Sequence, residues 1–575
     1  MENKIANVPV ASHGLHKHNY NYPWLSSINF GDVMPCYINT LRKGERDFPT
    51  AGMYSQLMPI LHNAFATGRF NFKSIFVPYK LVWRPWYSFD QQTDYVSDGV
   101  SSKPTLYPYV SSKQFTLAFI AQYCQQITTT APYDIVLDGG QGSVTHYVVK
   151  NDAGRRVLRI LGALGCTPSF VADKDDNNTM NILAILCYIK AYSDYYYPNN
   201  YVGNNAWLKL SKFFDRDTID FSSECIELLA ALEVASLNFY ENSIFDIAWD
   251  NPVTPNTSSN NPQVVIYDRT DPDQDVNAVV ENQTSGVGTP AVTNAAGDSL
   301  SGFTQFLVDA LKSLSMWMKR NQLTGARLID RFLVSRGISL GNDSARISYY
   351  IGERNIEIEC NAVENNSDSN LGELAGRGLA STGDKPLSFN CKPDDDGILF
   401  VIVSPIPDSS FPVNIDGFTC RKDYMDNYKA EFDKLSTCPV PARVIRQSLD
   451  GSYNNLYKNS VFGFLNQYWD EIQERPRLLG DFLLSTRGAT QLRAYHTFRV
   501  LSSSVAAAHS YDFVRMEDAS QYQRLFYSSE QDNIMLFLRW RGKQYKEKLP
   551  LGDSYEWDDD ELNKRVSVVV GGSQK

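Results

Sequence analysis

The sequence lacks any regular spacing among its cysteines. Nine cysteines occur in 575 residues, and none belongs to a Cys-x-x-Cys pair. An odd number without paired spacing fits neither a disulfide framework nor a zinc site. We therefore expect reduced thiols, and we expect Cys187, which lies inside an apolar helical run, to pack as a small buried hydrophobe.

Long apolar runs are also missing. No stretch approaches the roughly 20 residues that a membrane-spanning helix needs. The N-terminal sequence Met-Glu-Asn-Lys-Ile-Ala-Asn has no charged region followed by an apolar one, so we expect no secretory signal. These absences predict a chain without a membrane span that is made and used in a reducing, aqueous compartment.

A positive net charge is missing too. The chain has 54 Lys and Arg against 65 Asp and Glu, which gives a formal net charge of −11. This balance argues against a protein whose whole surface binds nucleic acid, although it leaves room for a local basic patch. A chain with this charge cannot neutralise a packaged nucleic acid by itself.

No catalytic motif is recognisable in the chain. It has no Walker sequence, no His-Glu-x-x-His and no nucleophile elbow. The aspartate pairs at 394/396 and 558/560 have a spacing at which a glycosidase acid and base would be sought. Neighbouring aspartates in a polar loop are more simply solvated charges. We therefore expect no enzymatic activity, no catalytic residue, no cofactor and no metal site.

The sequence is rich in aromatic residues and in turn formers. Phe, Trp and Tyr make up 13% of the chain, and 35 Gly and 26 Pro accompany them. This composition favours strands joined by elaborate loops. Dense apolar or β-branched runs predict strands at 71–83, 396–403 and 534–540, whereas apolar spacings of three and four predict helices at 181–197 and 301–320.

The strand-like runs are spread along the whole chain, which predicts one all-β core with long inserted loops and a few short helices. We place an N-terminal arm at 1–28, a single domain at 29–545 and a C-terminal tail at 546–575. The tracts at about 90–175 and 253–299 are rich in turn formers and predict insertions. We expect 253–299 to project from the surface, with 90–150 as the alternative projection.

Several motifs occur in a recognisable order. The first is Phe76-Val-Pro78-x-x-Leu-Val-Trp83-x-x-Trp86, which follows the strand-like Gly31-Asp-Val-Met-Pro-Cys-Tyr. The later ones are Gly325-Ala-Arg327, Asp343-Ser-Ala-Arg346 with Gly352, Leu371-Gly372-Glu-Leu-Ala-Gly376-Arg-Gly378, Phe462-Gly463-Phe and Gly480-Asp-Phe. In this order they resemble the motifs of the major capsid proteins of the Microviridae, in particular the gokushovirus-like branch, whose members are small tailless phages with circular single-stranded DNA.

The resemblance implies an eight-stranded viral jelly-roll β-sandwich that self-assembles into a T=1 icosahedral shell. The implied location is the virion, assembled in the cytoplasm of a bacterial host. The implied partners are other copies of the chain, the single-stranded DNA genome, a small basic DNA-binding protein, a pilot protein and a host surface receptor. The motif residues named above are then expected to serve core and interface packing. Aromatic content and long loops also fit a carbohydrate-binding or glycan-hydrolysing jelly roll, which is the alternative.

Five basic residues are candidates for contact with nucleic acid. Lys4 and Lys17 lie in the polar N-terminal segment, and Arg155, Arg156 and Arg159 form a basic cluster. Scattered cations of this kind suit sequence-tolerant binding of a single strand. The competing interpretation of each is an ordinary solvated basic residue, and that interpretation is favoured for the three arginines.

Overall fold

The fold is defined by a computed structural model of the chain. The residues that the structure describes are 4–9, 14–58, 68–97, 100–127, 135–138, 144–150, 152–166, 171–173, 179–196, 264–267, 275–280, 292–293, 313, 316, 333, 336–338, 341, 346–364, 374–383, 385–407, 409–410, 417–421, 424–430, 438–441, 461–465, 468–471, 496–497, 532–547 and 565–569. Within these ranges the chain is mostly antiparallel β-sheet with few helices.

Eight long strands build the centre of the molecule. They are β1 (His16–Ile28), β2 (Met34–Leu41), β3 (Arg46–Leu57), β4 (Gly68–Pro78), β5 (Tyr349–Glu364), β6 (Leu374–Ser381), β7 (Gly397–Pro407) and β8 (Ile534–Lys546). Four come from the first 78 residues and four from the part after residue 348. A short strand, Leu387–Ser388, also pairs with β3.

The eight strands form two antiparallel sheets. In the first sheet the order is β1-β8-β3-β6, and in the second it is β2-β7-β4-β5. The long strand β5 joins them, because residues 349–358 pair with β4 whereas residues 359–364 pair with β6. Every pairing between neighbours in this arrangement is antiparallel.

The two sheets face each other across one apolar core. Alternate side chains of β4 and β7, including Phe72, Leu399 and Val401, share a buried cluster with Met53 of β3 and Leu538 of β8. Alternation arises because successive side chains of a strand point to opposite faces. Burying one such large apolar side chain contributes about 1.5–3 kcal/mol. The two sheets therefore form a β-sandwich, as expected for an all-β core.

Five α-helices among the described residues follow β4 in the chain. They are α1 (Tyr79–Val82), α2 (Trp86–Asp90), α3 (Ser112–Tyr123), α4 (Asp152–Ala163) and α5 (Leu183–Tyr195). They pack on the outer face of the second sheet, where Val77, Ile398 and Phe400 meet Phe119 and Ile189 in a second buried cluster. The molecule is therefore layered as helices, second sheet and first sheet. No helix among the described residues is long and apolar enough to cross a membrane.

The remaining strands form small separate sheets. Four strands between α3 and α5 form one of them: Cys124–Ile127, Ile135–Asp138, Val144–Val149 and Val171–Asp173. Three strands form another: Val264–Tyr267, Asp275–Val280 and Val292–Thr293. Two-stranded pairs are Lys4–Pro9 with Arg565–Val569, Tyr95–Ser97 with Val100–Ser102, Tyr109–Ser111 with Thr179–Asn181, Ser409–Ser410 with His496–Thr497, and Cys438–Pro441 with Val461–Leu465.

Between β7 and β8 the described part of the chain contains three short 3-10 helices. They are Gly417–Cys420, Tyr424–Asp426 and Trp469–Glu471. The predicted strands at 396–403 and 534–540 are confirmed as β7 and β8, and the predicted helix at 181–197 is confirmed as α5. The predicted helix at 301–320 lies outside the described residues, except for single helical positions at Ser313 and Met316.

Two boundaries differ from the sequence-based expectation. The strand predicted over 71–83 ends at Pro78; Trp83 directly follows the helical turn α1 in an extended conformation, and Trp86 begins α2. Pro78 has no amide hydrogen for the ladder, and the next amide, that of Tyr79, donates to the carbonyl of Asp396 at 3.0 Å. The expected N-terminal arm at 1–28 is corrected as well. Residues 16–28 pair along their full length with β8, and Lys546, assigned to the tail, ends that strand.

Candidate nucleic-acid interface

The five described helices cover the outer face of the second sheet and leave the outer face of the first sheet uncovered. This bare face consists of the outward side chains of β1, β8 and β3, which the strand register places side by side. They are Lys17, Asn19, Asn21, Pro23, Leu25 and Ser27 on β1, Met535, Phe537, Arg539, Arg541, Lys543 and Tyr545 on β8, and Arg46, Phe48, Thr50, Gly52, Tyr54 and Gln56 on β3. The positions between them on β8, such as Leu536 and Trp540, are buried in the core.

Cations occupy two thirds of the bare face, which we call its basic end. Four successive rows across the three strands each carry at least one: Lys17–Tyr545–Arg46, Asn19–Lys543–Phe48, Asn21–Arg541–Thr50 and Pro23–Arg539–Gly52. All five cationic side chains are exposed. Alternate residues of a strand are spaced about 7 Å apart, so β8 presents a line of three charges.

No carboxylate belongs to the bare face. Among the residues that the structure describes, none of the five cations forms an ion pair, and the neutral contact of Arg539 is a hydrogen bond from its Nε to Asn21 Oδ1 at 3.2 Å. Five positive charges without a negative one are unexpected in a chain whose net charge is −11. The basic end therefore attracts polyanions even though the molecule as a whole is acidic.

Aromatic and apolar side chains share the bare face with the cations. Phe48 and Tyr545 meet edge to face, with ring centroids 6.0 Å apart. Beyond the basic end, Leu25, Tyr54 and Met535 are 75%, 48% and 44% exposed. We call these three side chains, with Phe537 between them, the apolar end. The bare face thus combines phosphate-binding charge with flat surfaces that bases can stack on.

The structure separates the five basic residues expected to contact nucleic acid. Lys17 lies in the first row of the bare face. The backbone of Lys4 pairs with that of Val569 in a two-stranded sheet that is separate from the bare face. For Lys4, Lys17 and Arg155 the expectation stays a prediction, whereas the expectation for Arg156 and Arg159 is corrected.

The side chains of Arg156 and Arg159 form ion pairs inside the molecule. The Arg156 guanidinium is ion-paired with Asp32, and Arg159 binds Asp32 Oδ2 at 2.5 Å and Asp532 Oδ1 at 2.7 Å. Arg156 is 5% exposed, and Arg155 beside it is half-buried. This placement corrects the expectation for Arg156 and Arg159, because a buried, paired guanidinium cannot reach a phosphate. Their function is to hold α4 against the turn between β1 and β2.

A buried carboxylate lies inside the sandwich beneath the basic end. Asp47 is fully buried and accepts hydrogen bonds from Tyr37 Oη at 2.6 Å, Tyr20 Oη at 3.1 Å and Asn39 Nδ2 at 2.5 Å. Desolvation raises the pKa of Asp47, although the three hydrogen bonds and the charge of Lys546 oppose that rise. We call this group the Asp47 cluster, and it links both sheets because Tyr37 belongs to β2.

Some of the family-motif residues lie among the described residues, and the others lie outside them. Phe76 and Pro78 are buried in β4, and Trp83 and Trp86 pack beside them with ring centroids 6.4 Å apart. Arg346 is exposed with a φ of 54°, and Gly352 lies at an irregularity of the β4–β5 pairing. Gly376 and Gly378 lie in β6, and Gly463 lies in the strand Val461–Leu465. Arg327, Asp343, Gly372 and Gly480 lie outside the described residues.

A cleft of about 1280 Å³ opens on the helical side of the molecule. Its walls combine strand ends, such as Arg42 and Lys546, with Trp86 and Tyr107 from the segment after β4. Asp90 and Asp396 contribute carboxylates, and Asp396 Oδ1 already accepts the amide of Lys43 at 2.8 Å. Among the described residues no group of three His, Cys, Asp or Glu side chains has the arrangement of a metal site.

Four of the five cations at the basic end were not identified from the sequence. The signal for three of them is present, since Arg539, Arg541 and Lys543 alternate in the strand that begins at 534, so one face of that strand had to be basic. The partners of this strand, β1 and β3, lie about 500 residues away, and no local pattern reveals them. Register alone brings Lys17 and Arg46 next to Tyr545.

Comparison with known proteins adds no relative. No protein-family model matches the chain, and no curated protein is significantly similar to it. The functional argument therefore depends on the strand order, the layering and the bare face.

Proposed function

We propose that the chain is the major capsid protein of a small virus of the Microviridae type, which self-assembles into a T=1 icosahedral shell around a circular single-stranded DNA genome. It acts in the virion after assembly in the bacterial cytoplasm. No enzymatic step is part of this function. The subunit works through contacts with copies of itself and with the genome.

The strand order is the observation that carries this proposal. A jelly roll results when an antiparallel ribbon of eight strands folds over into two sheets, with orders 1-8-3-6 and 2-7-4-5 and Greek-key connections. The sheets described above have the orders β1-β8-β3-β6 and β2-β7-β4-β5. Jelly rolls of this kind are frequent in viral capsids, where the loops between strands supply the contacts between subunits.

The layering also supports a shell subunit. The residues between β4 and β5 place helices on one side of the sandwich, whereas the other side is bare and basic. A shell needs two unlike surfaces of this kind, one toward the solvent and one toward a packaged polyanion. Since the chain is acidic overall, a small basic DNA-binding protein supplies further positive charge, and a pilot protein and a host receptor complete the expected partners.

Assembly tests the proposal directly. The full chain is produced in bacteria, purified and examined by sedimentation velocity and electron microscopy. Closed particles of uniform size, alone or after addition of single-stranded DNA, are the expected result. A monomer that stays monomeric at high concentration with and without DNA would refute the shell function.

A glycan-binding protein is the second candidate, and the cleft is the observation that favours it. Trp86 and Tyr107 line it together with the carboxylates of Asp90 and Asp396, and rings with nearby carboxylates are the surfaces that bind sugars. Titration of soluble bacterial-surface glycans into the purified chain tests this candidate. Saturable binding by a non-assembling monomer would favour it over the shell.

A further inference from the structure

We infer that the bare face of β1, β8 and β3 binds single-stranded nucleic acid, with the strand following β8 so that phosphates meet the basic end and bases stack on the aromatic rings. This inference deepens the proposed function, because it assigns the genome-binding surface and thereby the side of the subunit that faces inward. It depends on Arg46, Arg539, Arg541 and Lys543 as well as on Lys17.

The positive charge of the basic end indicates that the molecule bound there is a polyanion. The five cations are exposed, and no carboxylate of the described residues pairs with them. Mutual repulsion among such cations is relieved when an anion binds and its counterions are released. The bare face of a second copy is a poor occupant of this end, because the five cations of one copy would face the five cations of the other.

The aromatic side chains of the bare face favour a single strand over a duplex. A duplex keeps its bases stacked inside and offers an outer surface of phosphates, so it would use the cations alone. An extended single strand exposes its bases, and each base stacked on an aromatic side chain contributes to binding. The bare face provides Tyr545 and Phe48 within the basic end, and Tyr54 with Phe537 directly beyond it. Both kinds of surface lie on the same three neighbouring strands.

The surface is also rigid enough to act as a preformed platform. β8 pairs with β1 along 13 residues and with β3 along 12, and the inner faces of these strands are buried in the sandwich core. The spacing of the cations is therefore fixed by the ladder before any nucleic acid binds. Substitutions on the outer face leave the buried side chains untouched, which makes the surface suitable for mutational analysis.

Binding of a labelled single strand of mixed sequence and of the matching duplex tests the inference by fluorescence anisotropy at several salt concentrations. The charge variant combines Arg539→Gln, Arg541→Gln and Lys543→Gln. We expect its affinity for the single strand to fall about tenfold to a hundredfold, and the salt dependence of log K to become shallower by about 2, since each lost phosphate contact removes about 0.7. The matched control combines Lys103→Gln, Arg354→Gln and Lys392→Gln, which are exposed positions off the bare face, and it should bind like the parent chain.

A second variant separates single-strand binding from simple charge attraction. Tyr54→Thr with Tyr545→Thr keeps strand-forming residues and all five cations. We expect weaker binding of the single strand with unchanged binding of the duplex. Equal losses for both forms would overturn the stacking component, and unchanged binding by the charge variant would overturn the whole inference.

The outcome can be told apart from that of the assembly experiment. If the charge variant binds DNA like the parent chain while closed particles still form, the proposed function stands and this surface assignment is wrong. If the variants behave as expected but the chain never forms particles, the surface assignment stands and the shell function fails. Thermal unfolding of every variant is measured first, so that a loss of binding is interpreted only for folded protein.

Discussion

At the scale of single residues, burial raises the pKa of the Asp47 carboxyl group and makes the stability of the fold depend on pH. This carboxyl group lies in the core of a sandwich whose other polar contacts at that end are neutral hydroxyl and amide groups, apart from Lys546. Ionising a carboxyl group there costs free energy because the charge loses its hydration. The net result of burial and hydrogen bonding is a pKa above the ordinary 3.8.

We predict that the Asp47 cluster destabilises the fold progressively as pH rises. Below pH 3.8 the carboxyl group is protonated in both states and costs nothing, whereas above its raised pKa it is ionised in the folded state and the full penalty applies. The free energy of unfolding of the parent chain relative to Asp47→Asn should therefore fall across this window, by about 1.4 kcal/mol for each unit of pKa elevation.

Denaturant unfolding followed by tryptophan fluorescence at several pH values measures this difference. The exposed Asp394→Asn is the matched control, and its stability relative to the parent chain should stay nearly constant. A difference for Asp47→Asn that does not change with pH would contradict the prediction.

At the scale of secondary-structure elements, ion pairs hold α4 against the sandwich. Arg159 bridges Asp32, which follows β1, and Asp532, which precedes β8. The side chain of Asp32 is 2% exposed, and removal of Arg159 leaves this carboxylate with Arg156 as its remaining ion-pair partner and leaves Asp532 with none among the described residues. The same helix also buries Val157, Ile160 and Leu161 against the second sheet.

We predict that Arg159→Met lowers the free energy of unfolding by about 3–5 kcal/mol, the typical cost of breaking a buried pair from one side. Adding Asp532→Asn should restore part of the loss, because Asp532 loses its ion-pair partner in Arg159→Met and the asparagine carries no charge. Arg421→Met is the control, since its ion pairs with Asp470 and Glu471 lie nearer to solvent and contribute only about 0–1 kcal/mol. Equal losses for Arg159→Met and Arg421→Met in a thermal or denaturant melt would refute the bridge.

Elements with a clear one-sided or all-apolar pattern could be predicted from the sequence, and others could not. β7 is an uninterrupted apolar run because it is buried on both faces, between the core and the helices. The sequence of β1 predicts an arm because His16, Lys17 and His18 make it polar, whereas its register with β8 is a tertiary property. The bare face was missed for the same reason, since its cations come from three strands that are distant in sequence.

At the scale of the whole molecule, the sandwich is independent of the tract at 253–299. The strands described within that tract pair only with one another among the described residues, and none belongs to the core. We predict that replacing residues 255–298 by a short Gly/Ser linker leaves thermal unfolding of the core nearly unchanged and lets particles form, while attachment to host cells is lost. Sedimentation and a cell-binding assay measure the two effects. A variant that no longer assembles would show that the tract is an interface between subunits.

The order of the core strands has a consequence for how the chain is made. Among the core pairings, β5–β6 alone joins two strands from the same half of the chain, and every other pairing joins one of β1–β4 to one of β6–β8 or to β5. Residues 79–348 must therefore be synthesised after β4 before its first partner exists. At about 5–20 residues per second this takes tens of seconds, during which four long strands leave the ribosome with no ladder to join. The edges of these four strands therefore stay unpaired during synthesis. The yield of folded protein in the cell should depend on chaperones that shield those edges until β8 has been synthesised.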